Sequence, residues 1–215
     1  MSSKTIAGLG AKQTPNTNEL PFGRIMAKIA EKLCMEKGWH IHTNGDAGAA
    51  AFFEAGLTND ARSAKSDAVL KRFLPELGHN GHEHGIVVSD EIMIKKARTM
   101  LIEHKVYSTT PRFISLEGED RAVLTDEENK LADLHTRLVF QLFGEGLDQP
   151  VTMVVCWTPD GAIDLAGFNP ETTGSAGIAI SLAQLTGIPV FNLQRADHLK
   201  RICTFIGEPV PAIDG

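Results

Sequence analysis

The chain has 215 residues, with 21 Lys and Arg against 27 Asp and Glu, a formal net charge of −6. Hydrophobic residues make up 42% and charged residues 22%, the balance of a globular chain large enough for one sizeable core. That composition excludes a disordered tail protein, offers no basic stripe for coating nucleic acid, and contains no apolar run near the roughly 18 residues of a membrane span.

Lys4 to Gly10 reads as a short strand ending in glycines, followed by a polar loop from Ala11 to Glu19. A helix follows: Pro21 suits its first turn, and Ile25, Met26, Ile29, Ala30 and Leu33 recur at helical spacing. Gly38 suits the position just past its end. Trp39 to Thr43 reads as a second strand, which runs through Asn44-Gly45-Asp46-Ala47-Gly48 into a small-residue helix, Ala49 to Ala55, stopped at Gly56. The middle is less regular. Residues 57–84 hold a charged stretch and the cluster His79-Asn80-Gly81-His82-Glu83-His84; Gly85 to Val88 reads as a strand, Glu91 to His104 and Asp126 to Phe143 as helices, and 105–124 as loop or insertion. The C-terminal third returns to alternation. Val151 to Trp157 is a continuous apolar run, as expected of a strand buried on both faces. Gly174 to Thr186 reads as a helix, Ile188 to Leu193 as a strand and Ala196 to Ile206 as a last helix.

Strand–helix alternation of this kind predicts an open, mainly parallel α/β sheet with helices on both faces, a Rossmann-like architecture. Residues 1–215 are expected to form one domain with a variable middle at about 57–125. Three widely spaced cysteines (Cys34, Cys156, Cys203), no CxxC and no long apolar stretch at the N-terminus point to reduced thiols in a cytoplasmic protein.

Ligands of open parallel sheets bind at the carboxyl ends of strands. Three such ends are rich in turn residues: Gly8-Leu9-Gly10-Ala11-Lys12, Thr43 to Gly48, and Trp157-Thr158-Pro159-Asp160-Gly161 with the later Thr172-Thr173-Gly174-Ser175-Ala176-Gly177. Glycine lets the backbone approach a ligand, and a helix start offers N–H groups to an anion. The alternative is that these are merely tight turns.

Gly45, Gly48, Phe53, Glu54 and Gly56, the run Val154 to Gly161, and Gly174 to Gly177 followed by Gly187 to Leu193 resemble motifs of the phage and bacterial DNA-processing-A-like branch of the SLOG superfamily, which also holds the lonely-guy phosphoribohydrolases. The resemblance covers residues 4–56 and 135–193. It implies a pocket for a nucleotide-derived small molecule, no cofactor, and a homodimer or higher homo-oligomer. It also implies either nucleotide binding, as in sensing or in a phage counter-defence protein that sequesters a signal, or cleavage of an N-glycosidic bond. The chain departs from the family pattern at Thr43-Asn44, Ala50, Ala11-Lys12 and Ser181. The missing Arg and Asp favour binding over turnover. Single-strand DNA binding of the DNA-processing-A type is disfavoured by the charge of −6.

Within this frame Glu54 is the candidate catalytic carboxylate, able to stabilise or trap an oxocarbenium-like state; otherwise it is a solvated helix residue. Asp46 is a candidate for ribose hydroxyls or a water, or else the N-cap of the Ala49–Ala55 helix. Arg137, beside His135, pairs a phosphate or a surface carboxylate. Lys12, Thr43, Asn44, Thr158, Asp160 and the glycines at 8, 10, 45, 48, 174 and 177, with Ser175 and Ala176, are candidate ligand contacts. Trp157 stacks on a base or caps the core, and Asn192 is a turn former. The His79–His84 segment reads as a polar loop at the pocket's border rather than a metal site, since no second ligand set stands at a recognisable spacing.

Overall fold

The structure is a computed structural model and describes residues 4–63, 69–103 and 126–211. Its strands are β1 Thr5–Gly10, β2 His40–Thr43, β3 Leu70–Arg72, β4 Met153–Trp157 and β5 Val190–Asn192. Its helices are α1 Phe22–Ala30, α2 Ala49–Ala55, α3 Asn59–Ser63, α4 Glu91–Glu103, α5 Asp126–Phe143, α6 Pro170–Thr173, α7 Ala176–Leu185 and α8 Ala196–Ile206. The strands form one all-parallel sheet in the order β3-β2-β1-β4-β5.

The chain moves outward from β1 through β2 to β3, then returns to lay β4 on the other side of β1. The strand order therefore reverses between β1 and β4, where Gly10 stands opposite Trp157 at the carboxyl edge. That is the place where an open parallel sheet leaves a crevice.

Side chains alternate between the two faces of a strand, and the two cores follow that alternation. Ile6, Ile41, Met153, Val155 and Trp157 meet α1, α2 and α8 on one face. Ala7, Leu9, Val154 and Cys156 meet α4, α5 and α7 on the other. Each fully buried Leu, Ile or Val contributes about 1.5–3 kcal/mol relative to exposure. Helix α2 lies unusually close to its neighbours: a Cβ on Gly56 would stand 1.9 Å from the Ala27 carbonyl of α1, and one on Gly8 2.7 Å from the Phe53 ring. The three cysteines are buried and unbridged. Among the described residues no helix is long and apolar enough to cross a membrane.

The middle departs from the sequence expectation. The third strand is Leu70–Arg72, not Gly85–Val88; of the latter segment only Ile86 bridges the sheet, opposite Phe73. Leu70-Lys71-Arg72 is short and carries two cations, so its pattern is that of a surface loop. It is a strand because Leu70 and Arg72 turn inward while Lys71 remains half-buried, and because the Arg72 charge meets a buried carboxylate. Helix α1 runs into a π-helical turn, Glu31–Glu36, and α6 is an additional single turn. The expected loop at 105–124 lies outside the described residues.

Candidate functional site

The loop after β1 is locked to the sheet. The Ala11 N–H donates to the Trp157 carbonyl at 3.0 Å, and the Thr14 hydroxyl donates to the Ala11 carbonyl at 2.7 Å. Gly10, at φ +149°, would place a Cβ 2.4 Å from the Trp157 oxygen. Gly48, at φ +82°, would place one 2.5 Å from the Lys12 carbonyl. These glycines serve close approach of the chain to itself. The first N–H of α2, on Ala49, also points at its own chain, 3.4 Å from the Ala11 oxygen.

Beyond that loop a cleft of about 190 Å³ opens between Gly10–Gln13 and Glu171–Ala176, with Asp46 on its wall. It brings together Gly10, Lys12, Asp46, Gly174, Ser175 and Ala176 of the sequence-predicted residues. Ser175 stands at the N-terminal end of α7 and makes no side-chain cap bond, so the positive end of the helix dipole borders the cleft. Gly174, at φ +62°, turns the chain from α6 into α7.

Asp160 positions that turn without lining the cleft. Its carboxylate accepts hydrogen bonds from Thr158 Oγ1 at 2.7 Å, from Thr172 Oγ1 at 2.8 Å and from Thr173 Oγ1, and one from the Ala162 N–H at 3.2 Å. Burial pushes the Asp160 carboxyl up, but these hydroxyl and N–H donors together hold it below its ordinary value.

Asp46 is the hub of a second network. Arg137 Nη2 donates to its two oxygens at 3.1 and 2.9 Å, Asn44 Nδ2 donates at 2.8 Å, and His79 Nε2 lies 3.0 Å away. Gly48, not Asp46, occupies the N-cap position of α2, which removes the capping alternative. Arg137 is no surface residue: it is 4% exposed and also donates to the Asn44 carbonyl at 3.1 Å. Burial pulls its guanidinium below the usual range, and the Asp46 charge opposes that. Helix α5 brings it there because Gln141, one turn on, anchors the helix by donating to the Gly8 and His42 carbonyls at 3.1 and 3.2 Å. His42 Nδ1 in turn meets the Gln141 carbonyl at 2.9 Å. The histidine loop docks on the same turn, with His82 Nε2 and Asn80 Nδ2 each 3.1 Å from the Gly45 carbonyl. Among the described residues no three His, Cys, Asp or Glu side chains gather as a metal site would require.

The other candidates stand elsewhere. Glu54 is 5% exposed, and both its oxygens are engaged: Thr43 Oγ1 donates to one at 2.6 Å and Arg72 Nε to the other at 2.8 Å. It is neither solvated nor on the cleft wall. Trp157 is 6% exposed, lies 5.6 Å from the Phe22 ring and donates through Nε1 to Gln194 at 2.9 Å, a core residue with no face for a base. Thr158 is tied to Asn192, whose Nδ2 donates to Thr158 Oγ1 at 2.7 Å and to the Ala162 carbonyl at 2.8 Å. Asn192 Oδ1 accepts from the Thr158 and Gln194 N–H groups at 3.3 and 3.1 Å. Gly45 packs under Leu74 and His82, and Gly177 under the Phe168 ring.

Sequence reading missed Gln13 and Glu171 on the cleft wall and named Thr172 and Thr173 only as turn residues. A signal for Glu171 existed. Asn169-Pro170-Glu171 is a helix start, with Asn169 Oδ1 accepting from the Glu171 N–H at 3.0 Å, and it stands directly before the glycine turn. No family model, curated protein or solved structure matches the chain.

Proposed function

We propose that the chain binds a nucleotide-derived small molecule at the strand-order switch, phosphate on the Gly174–Ala176 turn, and holds it intact. The observation that carries this reading is the convergence in one cleft of the α7 N-terminus, Lys12 and Asp46. A helix start and a lysine attract an anion, and a carboxylate already paired with Arg137 can still accept hydrogen bonds from sugar hydroxyls. The cleft volume of about 190 Å³ is below the roughly 300–1,000 Å³ of sites that enclose a drug-sized ligand, so it suits the sugar-phosphate part. Binding without turnover is supported by Glu54, whose oxygens are occupied by Thr43 and Arg72.

The second reading, N-glycosidic cleavage or transfer, draws on Asp46, a carboxylate on the cleft wall. One experiment separates the two. The protein is incubated with nucleoside monophosphates, diphosphates and cyclic dinucleotides, and both Tm and products are followed. A raised Tm with intact ligand supports binding, base release supports cleavage, and neither shift nor consumption contradicts both.

A further inference from the structure

A groove of about 550 Å³ lies on the α8 face of the sheet, toward the edge at which β4 begins and α8 ends. The cleft beside Lys12 stands at the opposite, carboxyl edge. The groove walls are Met153 at the start of β4, Phe191 of β5, and Ile202 and Phe205 of α8, with Lys200 and Arg201 on the rim. Its volume falls within the roughly 300–1,000 Å³ of sites that hold an organic ligand.

Phe205 is 47% exposed, yet it is held in place: Trp39 meets it edge-on at 5.9 Å, and Lys37 Nζ lies 4.7 Å from the centre of its ring. An apolar wall fixed in advance loses little freedom when something covers it. The Arg201 guanidinium lies 5.0 Å over the Phe191 ring. Stacking of that kind uses the face of the guanidinium and leaves its in-plane N–H donors open. Among the described residues neither Arg201 nor Lys200 makes a hydrogen bond or an ion pair. Asp197, the acid of α8, lies against Arg195 and His198 instead, at 3.8 and 3.7 Å. In a chain of net charge −6, two neighbouring cations thus stand beside an apolar groove with no acid paired to them among the described residues.

Charge selects the occupant. A second copy related by a two-fold would bring like-charged rims together, which opposes association. A peptide added as a strand would find little to pair with on β5: Pro189 has no N–H, and the Asn192 N–H and carbonyl are taken by His198 Nδ1 at 3.1 Å and the Arg195 N–H at 3.0 Å. Nucleic acid needs a longer basic track than two residues. An apolar body that carries one negative charge satisfies both walls and rim. We propose that this groove binds an amphiphilic organic anion, an alkyl or aryl carboxylate whose apolar body lies on Met153, Phe191, Ile202 and Phe205 and whose charge meets Arg201 and Lys200. The inference is independent of the nucleotide reading, which concerns the other edge of the sheet.

The test uses the full chain and two fluorescent probes of one shape, anilinonaphthalene sulfonate and its uncharged relative phenylnaphthylamine, with decanoate as competitor. The anionic probe is expected to bind saturably at one site per chain and to be displaced by decanoate. Arg201→Gln should weaken the anionic probe at least about tenfold and leave the neutral one within about twofold. Phe205→Glu should weaken both; if it lacks a cooperative melt, Arg201→Glu, at an exposed position, replaces it and should abolish binding of the anion alone. The inference is overturned if the anionic probe does not saturate, if decanoate fails to displace it, or if Arg201→Gln leaves its affinity unchanged. A dimer in sedimentation that either Arg201→Gln or Phe205→Glu dissociates would also overturn it, in favour of a second copy on this face.

Discussion

Arg137, midway along α5, reaches across the end of β2 and closes an ion pair with Asp46 at 2.9 Å. The pair joins residues 91 positions apart in the chain; Asp46 lines the cleft of about 190 Å³ and Arg137 a cavity of about 130 Å³. Removing one partner of a buried pair strands the other charge, at a cost of about 3–5 kcal/mol. Arg137→Met and Asp46→Asn are each expected to destabilise the fold by roughly that amount. Because both remove the same interaction, the double variant is expected to lose less than the two singles together. Urea unfolding of the four proteins measures this, and additive losses would contradict the coupling.

His42 gives a pH dependence of known sign. Burial, opposed by its bond to the Gln141 carbonyl, holds its pKa down from 6.5 to about 4. The carbonyl can only accept, so Nδ1 carries the proton of the neutral ring. Between pH 6.5 and 4 the unfolded chain binds a proton that the native chain refuses. Stability is therefore complete above that window and falls as pH falls through it, by up to roughly 3 kcal/mol for this residue. His135, also pushed to about 4 by burial and by Arg137, acts in the same direction. His42→Gln is expected to flatten the stability–pH profile between pH 6.5 and 4 by about 1.4 kcal/mol per pH unit at most. An unchanged slope would contradict it.

The glycines of the two turns differ in kind. Gly48 combines φ +82° with carbonyls that a Cβ would meet at 2.5 and 2.6 Å. Gly174 combines φ +62° with open space. Gly174→Ala should cost about 1–3 kcal/mol, the backbone penalty alone, because φ +62° with ψ −156° is a region essentially confined to glycine. Gly48→Ala should cost more than that and loosen the β1 loop. Thermal unfolding of the two variants decides, and equal losses would go against this account.

Asn192 is fully buried, and its side chain makes four hydrogen bonds, three of which join the end of β5 to Thr158 and Ala162 after β4. Asn192→Ala leaves the Ala162 carbonyl and two N–H groups without that partner, an expected loss of about 2–4 kcal/mol. A loss under about 0.5 kcal/mol, the scale of an ordinary surface change, would show that the knot contributes little.

The sequence made the paired halves of the fold legible, because their strands end in glycine turns and their helices carry a regular apolar spacing. It concealed β3, since buried Arg72 finds its partners in Glu54, 18 positions away, and the Arg62 carbonyl. The same long-range pairing hid the true place of Glu54, which local pattern makes a helix carboxylate. The segments Cys156 to Gly161 and Ile188 to Leu193 stand out as motifs, yet Thr158, Asp160 and Asn192 mostly hold one another and the Thr172–Thr173 turn. A pattern of residue types cannot distinguish groups that bind a ligand from groups that bind each other. The cleft itself was half legible: Gly174–Ala176 and Lys12 follow from turn chemistry, whereas Asp46 reaches the wall only because Arg137 and His79 hold it there.

The central claim is that a phosphate rests at the α7 N-terminus. Ser175→Asp tests it most directly by placing a carboxylate where that phosphate would lie. A negative charge at a helix start is stabilising by about 0.3–1 kcal/mol, so the fold should be kept or strengthened. Calorimetric titration with the nucleotide that most raises the Tm of the unsubstituted chain is predicted to show at least tenfold weaker binding to Ser175→Asp, with Tm of the unliganded variant unchanged or higher. Equal affinity in the two proteins would contradict the account.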